Sequence, residues 1–291
     1  MRITVIGSTG QLGTDLVAVL RDPDAAYEVA ALGPEDVEVA DAGSVNRALE
    51  TARPDVVVNC AAFVRVDDCE DQVEEAFRVN AVGALHVARA CAARNALCVF
   101  ISTDYVFDGE RGGGYTEDDC PRPVNVYGAS KLAGEHLVRQ ACPTWTIVRM
   151  ASLFGKAGAL GKGGNFVETI LAKAKAGETL RVVSDVRMSP TYAADAARAL
   201  ERLLRAGRTG LFHVTNRGSC TWHQFASKAL ELAGLKTEVQ AISTLEWGAR
   251  ARRPRNSALR SVRLDDSGAE VLRQWPDALR AYLAEKGHIR P

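Results

Sequence analysis

Residues 3–13 read Ile-Thr-Val-Ile-Gly-Ser-Thr-Gly-Gln-Leu-Gly, and this stretch decides the fold class. A short apolar run typical of a buried strand leads directly into glycines at positions 7, 10 and 13, and a helical pattern follows over Gln11–Leu20. Glycine lets the chain turn tightly, and it lets a pyrophosphate approach the backbone at the positive end of a helix. The stretch therefore predicts a dinucleotide-binding turn, although glycine also occurs at such junctions for packing alone.

The alternation of strand and helix continues through the first half of the chain, which is typical of parallel βαβ units. Strands are predicted at Ile3–Ile6, Val29–Leu32, Val56–Asn59, Cys98–Ser102 and Thr146–Arg149. Helices are predicted at Gln11–Leu20, Val73–Arg94 and Ser130–Gln140. The predicted fold class is α/β, a Rossmann-type doubly wound parallel sheet with helices on both faces and a ligand site at the carboxyl ends of the strands.

The pattern loosens after residue 155, where we expect a smaller C-terminal α/β substrate lobe. Residues 1–155 form the predicted dinucleotide-binding domain, to which some later segments return, and residues 156–291 form most of the interleaved lobe. Predicted elements of this half are a Gly/Lys-rich loop at Gly155–Gly164, helices at Asn165–Ala176, Ala193–Arg205 and Trp222–Ala233, strands at Leu180–Val183 and Leu211–Val214, and a final helical tail.

Composition excludes several classes of protein. Lys+Arg and Asp+Glu are each 36 in 291 residues, so the overall charge provides no general attraction for nucleic acid or an anionic membrane. No run approaches the roughly 20 apolar residues of a spanning helix, and the chain enters a strand without a signal-peptide pattern. The seven cysteines are scattered and odd in number, which favours reduced thiols. A cytoplasmic protein with no nucleic-acid or membrane partner is expected.

The segment Tyr127-Gly-Ala-Ser-Lys131 predicts a pair of reactive side chains at the start of a helix. Residues four apart share a helix face, so the phenol and the ammonium can point into one cleft. A nearby cation favours the phenolate and should bring the pKa of Tyr127 toward the working range of an acid–base catalyst. A surface pair would show the same spacing.

A third motif, Ser102–Gly109, reads Ser-Thr-Asp-Tyr-Val-Phe-Asp-Gly and follows a predicted strand. Hydroxyls at the carboxyl end of a parallel strand lie where ligands bind, and Thr103 is the candidate to hold a substrate carbonyl near Tyr127. A cluster of Ser, Thr and Asp can equally satisfy loop backbone groups.

The three motifs occur in an order that resembles the extended short-chain dehydrogenases/reductases and, more narrowly, the dTDP-4-dehydrorhamnose reductase family. The turn spacing G-x-x-G-x-x-G also fits that superfamily. The likeness covers nearly the full chain and is most specific in Ser102–Phe107 and Arg252–Ser257. It is carried by Gly7–Gly13, Asn59–Ala62, Val66–Asp67, Val79–Asn80, Ser102–Gly109, Asn125–Glu135, Gly164–Phe166, Pro190–Thr191, Thr221–Trp222 and Arg252–Ser257.

The resemblance implies an NAD(P)H-dependent oxidoreductase that transfers a hydride to C4 of a nucleotide-linked keto-sugar, in the formation of dTDP-rhamnose for cell-surface polysaccharide. It makes Tyr127 the proton donor, Lys131 its electrostatic partner and a ligand of the nicotinamide ribose, and Thr103 the residue that orients the carbonyl. The cofactor contacts that it implies are Gly7, Gly10, Gln11, Leu12, Gly13, Glu38, Val39, Ala61, Ala62, Phe63, Tyr127 and Lys131. The substrate contacts are Thr103, Asp104, Tyr105, Ser152, Asn165 and Arg253.

Departures from the family pattern leave two alternatives to the rhamnose reductase. Ser152 stands where the family has a tryptophan that holds the sugar, Phe63-Val64 stands where it has His-Thr, and Val186 and Met188 replace a polar amide and a glycine. These changes motivate the alternative of a reductase of a different nucleotide keto-sugar, beside the rhamnose reductase as the leading interpretation. A non-catalytic regulatory or binding homologue is the third possibility, because such proteins also resemble this family.

Cofactor choice and partners are less determined. Leu32-Gly33-Pro34 has neither the acidic residue that binds a 2′-hydroxyl nor an arginine for a 2′-phosphate, so NADPH and NADH both stay open. Arg253 lies in an Arg-rich run that can hold the diphosphate of the sugar nucleotide, since planar guanidinium groups bind diphosphates well. Some relatives form dimers with a divalent cation, and Asp15 stands at the matching acidic position, where it can also simply favour the helix dipole.

Overall fold

The fold is described from a computed structural model, which describes residues 1–158, 164–264 and 272–290. The strands are β1 (Arg2–Ile6), β2 (Glu28–Leu32), β3 (Val56–Asn59), β4 (Leu97–Thr103), β5 (Trp145–Met150), β6 (Leu153–Phe154), β7 (Leu180–Val183), β8 (Arg187–Met188), β9 (Thr191–Tyr192), β10 (Gly210–His213), β11 (Cys220–Thr221) and β12 (Val239–Ile242). The helices are α1 (Gln11–Leu20), α2 (Ala42–Ala52), α3 (Val66–Asp71), α4 (Val73–Phe77), α5 (Gly83–Ala92), α6 (Val126–Ala141), α7 (Phe166–Lys175), α8 (Ala193–Arg205), α9 (Trp222–Leu232), α10 (Thr244–Trp247) and α11 (Trp275–Glu285).

Six parallel strands form the central sheet, in the order β2-β1-β3-β4-β5-β10. The strand order reverses beside β1, because β2 lies on one side of it and β3 on the other. In doubly wound sheets a ligand binds outside the carboxyl ends of the strands at such a reversal. The predicted fold class is therefore confirmed, and the reversal places the glycine turn after β1 next to the loop after β3.

Both faces of the sheet are covered by apolar clusters, which explains why its strands read as nearly continuous apolar runs. One cluster packs α1 and α8 against the sheet, and the other packs α2, α5 and α6 against the opposite face. A third apolar cluster joins α7, α9 and α11 in the C-terminal half. Although β10 comes after residue 155, it pairs with β5 in the central sheet; the domain division at residue 155 itself stays a prediction.

Two helix predictions need correction. The helix expected over Val73–Arg94 is divided into α4, a π-helical segment at Arg78–Val82, and α5, and the short helix α3 precedes it. The helix expected from Ser130 begins four residues earlier at Val126, because the Asn125 side chain accepts a hydrogen bond from the Gly128 amide and caps it. In the predicted loop Gly155–Gly164, residues 159–163 lie outside the described part.

Among the described residues, the helices are all too short or too polar to cross a membrane.

Candidate active site

Glycine is required in the turn after β1 because neighbouring backbone leaves no room for a side chain. Gly7 has φ +75°, and a Cβ atom there would lie 2.9 Å from the Ala61 amide nitrogen. A Cβ atom at Gly13 would lie 2.2 Å from the Gly7 carbonyl oxygen. These close approaches hold the start of α1 against the turn and next to the loop after β3.

The N-terminus of α1 can hold an anion. Gly10 is the N-cap residue, and among the described residues no side chain caps this end of the helix. The first amide groups of a helix lack intrahelical partners and carry partial positive charge, so they bind phosphate groups well. Because Gln11 and Leu12 also line the adjacent cavity, this end of α1 fits the pyrophosphate of a dinucleotide.

A cavity of about 720 Å³ opens along the carboxyl ends of β1–β5. It brings together every predicted site residue except Arg253. These residues are Gly7, Gly10, Gln11, Leu12, Gly13, Glu38, Val39, Ala61, Ala62, Phe63, Thr103, Asp104, Tyr105, Tyr127, Lys131, Ser152 and Asn165. The volume and the elongated set of lining segments suit a dinucleotide together with a second ligand.

Thr103 ends β4, and its hydroxyl connects the strand to the turn that follows. It donates a hydrogen bond to Oδ1 of Asp104 at 3.0 Å and accepts one from the Tyr105 amide at 3.2 Å. Asp104 is only 3% exposed, and this burial raises the pKa of its carboxyl to about 7, although the nearby hydroxyl groups of Ser257 and Thr103 act in the opposite direction. A large share of Asp104 is therefore protonated near neutral pH.

Tyr127 lies in the first turn of α6, and Lys131 follows one turn later on the same wall of the cavity. Gly128 allows this placement, because a Cβ atom there would lie 2.0 Å from the Tyr105 carbonyl oxygen. The rings of Tyr105 and Tyr127 meet edge to face with centroids 5.9 Å apart. The glycine after Tyr127 thus brings the phenol close to the end of β4.

Lys131 is 2% exposed, and its Nζ lies 4.1 Å from the centroid of the Phe100 ring. Burial lowers the pKa of the Lys131 ammonium to about 7, although the charge of Glu135 acts to raise it. The group is therefore poised to change its charge near neutral pH, and a ligand that accepts its hydrogen bonds favours the charged form.

The pKa of Tyr127 differs from the sequence-based expectation. Burial raises it above the ordinary value of a phenol, the nearby Thr103 hydroxyl acts to lower it, and the charge of Asp104 raises it further. Desolvation disfavours the phenolate, and this effect exceeds the expected effect of the nearby cation. Tyr127 is thus a neutral phenol at neutral pH, which suits a proton donor.

A buried ion pair that the sequence did not reveal lies behind Lys131. Glu135 accepts hydrogen bonds from Nε and Nη2 of Arg149 at 2.8 and 2.7 Å and from the Ser102 hydroxyl at 2.6 Å. Glu135 is 1% exposed and Arg149 is also buried. The motif around Lys131 contains Glu135, but its partner comes from β5, so spacing within α6 could not identify the pair.

Asn80 is a second residue that the sequence did not single out as part of the site. It lies in the π-helical segment Arg78–Val82, is fully buried, and accepts a hydrogen bond from the Phe63 amide at 2.8 Å. Its amide group donates to the Phe63 carbonyl and to the Ser130 hydroxyl. Asn80 therefore fixes the loop after β3 to α6, and π-helical turns are frequent at functional sites.

The residues predicted to contact substrate occupy different surroundings. Ser152 has φ +42° and lines the cavity. Asn165 caps α7 and donates hydrogen bonds to the Gly155 carbonyl and the Tyr282 hydroxyl. Beyond them, Phe166 and Trp222 line the same end of the cavity with ring centroids 4.8 Å apart, and the sequence marked neither as a site residue.

Arg253 lies outside the cavity lining. It forms a two-pronged ion pair with Asp67, with nitrogen–oxygen distances of 2.7 and 2.9 Å, and its guanidinium carbon lies 5.2 Å from the centroid of the Trp247 ring. It also lies close enough to Tyr105, which does line the cavity, to act on the pKa of that phenol. Contact of Arg253 with a diphosphate stays a prediction.

Asp15 is the fifth residue of α1, beyond the first turn where the helix dipole acts most strongly. Its Oδ2 is buried without a hydrogen-bond partner among the described residues. Burial and the charge of Glu285 raise the pKa of Asp15 to about 6, against the lowering effects of Lys156 and Arg198. Within residues 1–158, 164–264 and 272–290 no three acidic, His or Cys side chains form a metal-binding cluster.

Comparison with known proteins assigns the chain to a family. The family model described as "RmlD substrate binding domain" matches residues 1–287. The spore coat polysaccharide biosynthesis protein SpsK of Bacillus subtilis is 40% identical over 98% of both chains. The dTDP-4-dehydrorhamnose reductase of Streptomyces griseus is 38% identical over 96% of this chain and 91% of that one.

Solved structures agree with this assignment. The crystal structure of dTDP-4-dehydrorhamnose reductase from Bacillus anthracis in complex with NADP superimposes with a TM-score of 0.92 at 36% identity, covering 98% of this chain and 99% of that one. The match extends over the central sheet, the cavity and the C-terminal half. The chain belongs to the dTDP-4-dehydrorhamnose reductase family.

Proposed function

We propose that this protein catalyses the NAD(P)H-dependent reduction of the 4-keto group of a nucleotide-linked deoxysugar, and that it converts dTDP-4-dehydrorhamnose to dTDP-rhamnose. The observation that carries the proposal is the convergence of Thr103, Tyr127 and Lys131 on one cavity with the glycine turn. The names of the relatives support the choice of substrate.

The cofactor fits one end of the cavity. The turn and the N-terminus of α1 receive the pyrophosphate, Glu38 and Val39 after β2 contact the adenosine half, and Ala61–Phe63 after β3 contact the nicotinamide half. When bound, the reduced nicotinamide supplies the hydride. Asn80 acts on this end indirectly, because its hydrogen bonds fix the backbone of Phe63.

The chain's own groups supply the proton and the orientation. Tyr127 donates its phenolic proton to the carbonyl oxygen, and the Thr103 hydroxyl beside it holds that oxygen in place. Lys131 adds positive charge as the phenolate forms, and this charge favours the proton transfer. Thr103 and Lys131 are buried and Tyr127 is half-buried, so water is largely excluded from these groups, which strengthens their interaction with the substrate.

The test measures NAD(P)H oxidation by the purified protein with dTDP-4-dehydrorhamnose and with a panel of other nucleotide-linked keto-sugars, and NMR identifies the product. Replacing Tyr127 with Phe should lower kcat by about 10²- to 10⁴-fold, because the general acid is lost. Tyr27→Phe is the matched control, since Tyr27 bonds Glu201 on a distant surface and does not line the cavity. Full activity of Tyr127→Phe would exclude this mechanism, whereas no NAD(P)H oxidation by the unmodified protein with any keto-sugar of the panel would favour the non-catalytic alternative.

The geometry at Ser152 favours a second candidate, a reductase of a different nucleotide keto-sugar. A small side chain at this point of the cavity leaves room beside the substrate position, and its backbone conformation is one that bulky residues rarely adopt. This candidate predicts that another keto-sugar of the panel has a kcat/KM at least about tenfold higher than dTDP-4-dehydrorhamnose, equivalent to about 1.4 kcal/mol of transition-state binding.

We also propose that the protein forms a homodimer and that a divalent cation binds near Asp15. The buried, unpartnered oxygen of Asp15 supports a ligand there, although no cluster of three acidic, His or Cys side chains accompanies it within the described residues. Light scattering tests the dimer, and a monomer both with and without Mg²⁺ would contradict it. Calorimetric titration with Mg²⁺ tests the cation, and equal heats for the unmodified protein and Asp15→Asn would contradict a site at Asp15.

A further inference from the structure

The Asp104 carboxyl is buried at the wall of the cavity, and only one of its oxygens has a hydrogen-bond partner among the described residues. The residue is 3% exposed, and Oδ1 accepts the Thr103 hydroxyl hydrogen bond at 3.0 Å. Its other oxygen, Oδ2, has no partner that meets hydrogen-bond geometry in the described part of the chain. A buried carboxylate with one free oxygen is unfavourable, whereas a carboxylic acid tolerates the same surroundings.

Several elements pack around this carboxyl. Thr103 precedes it on β4, Tyr105 follows it, Tyr127 faces it from α6, and Ser257 faces it from the loop before residue 260. The Ser257 hydroxyl lies close enough to lower the pKa of Asp104. Like Oδ2 of Asp104, however, this hydroxyl has no contact among the described residues that meets hydrogen-bond geometry. The charged groups nearby are Lys131, one turn along α6 from Tyr127, and the ion pair of Arg253 with Asp67, which lies beyond Tyr105.

The protonation state of Asp104 decides the direction of the Thr103 hydroxyl. A carboxylate accepts the single hydroxyl hydrogen of Thr103, so that hydrogen is withdrawn from the cavity. A protonated Asp104 can donate to Thr103 instead. The hydrogen bond between Thr103 and Asp104 then reverses, the Thr103 oxygen still accepts from the Tyr105 amide, and the Thr103 hydrogen is free for the nearby Tyr127 hydroxyl.

We propose that Asp104 is a second proton donor, which restores the Tyr127 phenol by passing its proton through the Thr103 hydroxyl. The inference rests on the proposed function, because it requires that Tyr127 protonates a carbonyl. It differs from a substrate-binding role, since the transferred proton and not the contact with sugar is what Asp104 contributes.

The transfers balance. The reduced nicotinamide gives its hydride to the carbonyl carbon, and Tyr127 gives its phenolic proton to the carbonyl oxygen, which leaves an alcohol and a phenolate. The O–H bond of Thr103 then breaks as its hydrogen moves to the phenolate, while the carboxyl proton of Asp104 moves to the Thr103 oxygen. Asp104 ends as a carboxylate and takes up a proton from water after the product leaves.

The first test observes the proton directly and needs no substrate. In protein labelled with carbon-13 at the aspartate side-chain carboxyl, infrared spectroscopy should show a protonated carboxyl band that titrates near pH 7. The band should vanish in Asp104→Asn and persist in Asp118→Asn, an exposed surface control. Asp15, whose pKa is raised to about 6, contributes a second band that Asp15→Asn identifies. A spectrum in which Asp104→Asn removes no such band would overturn the proposal.

The second test separates proton delivery from binding. The amide group introduced by Asp104→Asn can still donate a hydrogen bond to Thr103 but has no proton to transfer. This substitution should therefore lower kcat by about 10- to 100-fold with KM nearly unchanged, and Asp118→Asn should leave both constants unchanged. A raised KM at unchanged kcat would identify Asp104 as an ordinary substrate-binding residue and overturn the relay.

The two tests also separate failure of this inference from failure of the proposed function. If the unmodified protein reduces no nucleotide keto-sugar, the proposed function fails, and the infrared titration still reports whether Asp104 holds a proton. If the unmodified protein is active and Asp104→Asn has full kcat, the relay alone fails.

Discussion

Ser102 and Thr103 are successive residues at the end of β4, yet their hydroxyls lead to two unlike buried clusters. Ser102 belongs to what we term the paired cluster, Ser102, Glu135 and Arg149, in which the carboxylate accepts three hydrogen bonds from the other two members. Thr103 belongs to the open cluster, Thr103, Asp104 and Tyr127, in which one carboxyl oxygen lacks a partner among the described residues.

The difference in hydrogen-bond partners explains how the end of one strand can hold both a permanent charge and an exchangeable proton. In the paired cluster the guanidinium stabilises the Glu135 carboxylate, so the charge is retained away from water. In the open cluster, as far as the described residues extend, no such partner offsets desolvation, so Asp104 and Tyr127 keep their protons to higher pH. The paired cluster supports the site, and the open cluster contains its exchangeable protons.

The largest effect should come from breaking the paired cluster. Glu135→Gln leaves the buried Arg149 guanidinium without its counter-charge, so the free energy of unfolding should fall by about 3–5 kcal/mol. Urea unfolding followed by circular dichroism measures this change. Glu231→Gln, which removes an exposed partner of Lys228, is the control and should change stability by less than about 1 kcal/mol. Equal effects of the two substitutions would show that the cluster contributes no special stability.

Asp104→Asn should raise the free energy of unfolding, and the size of this gain should depend on pH. The folded-state pKa of Asp104 is raised to about 7, so between about pH 4 and pH 7 the folded state binds more protons than the unfolded state. Stability is therefore lost as pH rises through this window, and an uncharged Asn avoids the loss. Relative to the unmodified protein, Asp104→Asn should gain about 2–4 kcal/mol above pH 7 and nothing below pH 4. Unfolding midpoints measured across this range check the sign, and a pH-independent difference would contradict it.

Ser102→Ala should weaken the paired cluster only partly. It removes one of the hydrogen bonds to Glu135 but leaves both bonds from Arg149, so we expect a loss of about 1–2 kcal/mol. A double-mutant cycle with Glu135→Gln measures the coupling of the two side chains directly. Additive losses would mean that the Ser102 hydroxyl does not act through Glu135.

The smallest expected effect is a shift in the pKa of Lys131, which lies between the two clusters. The charge of Glu135 raises the pKa of Lys131 against the effect of burial, so Glu135→Gln should lower that pKa below its value of about 7. The protonated ammonium would then be lost at lower pH, and the alkaline limb of the activity profile should move in the same direction. A pH–rate profile of folded variant protein checks this, and an unmoved limb would show that Lys131 does not control it.

Most of the scaffold was predictable because it depends on local patterns. Apolar runs indicated the first five strands of the sheet, and the glycines at positions 7 and 13 have the steric role that their spacing suggested. The helix expected over Val73–Arg94 was wrong in its regular α-helical geometry, because the π-helical segment Arg78–Val82 leaves no sign in the apolar pattern of the sequence. Asn80 is held by Phe63 and Ser130, which are distant in sequence.

The sequence by itself determined the fold class, the position of the glycine turn and the pairing of Tyr127 with Lys131 on one helix face, since each depends on spacing along a single element. Only the tertiary structure decided which buried groups have partners. Glu135 meets Arg149 because α6 packs beside β5, whereas no cation in the described part of the chain offsets the burial of Asp104. Desolvation depends on what surrounds a group in space, and for that reason the protons of this site could not be assigned from spacing alone.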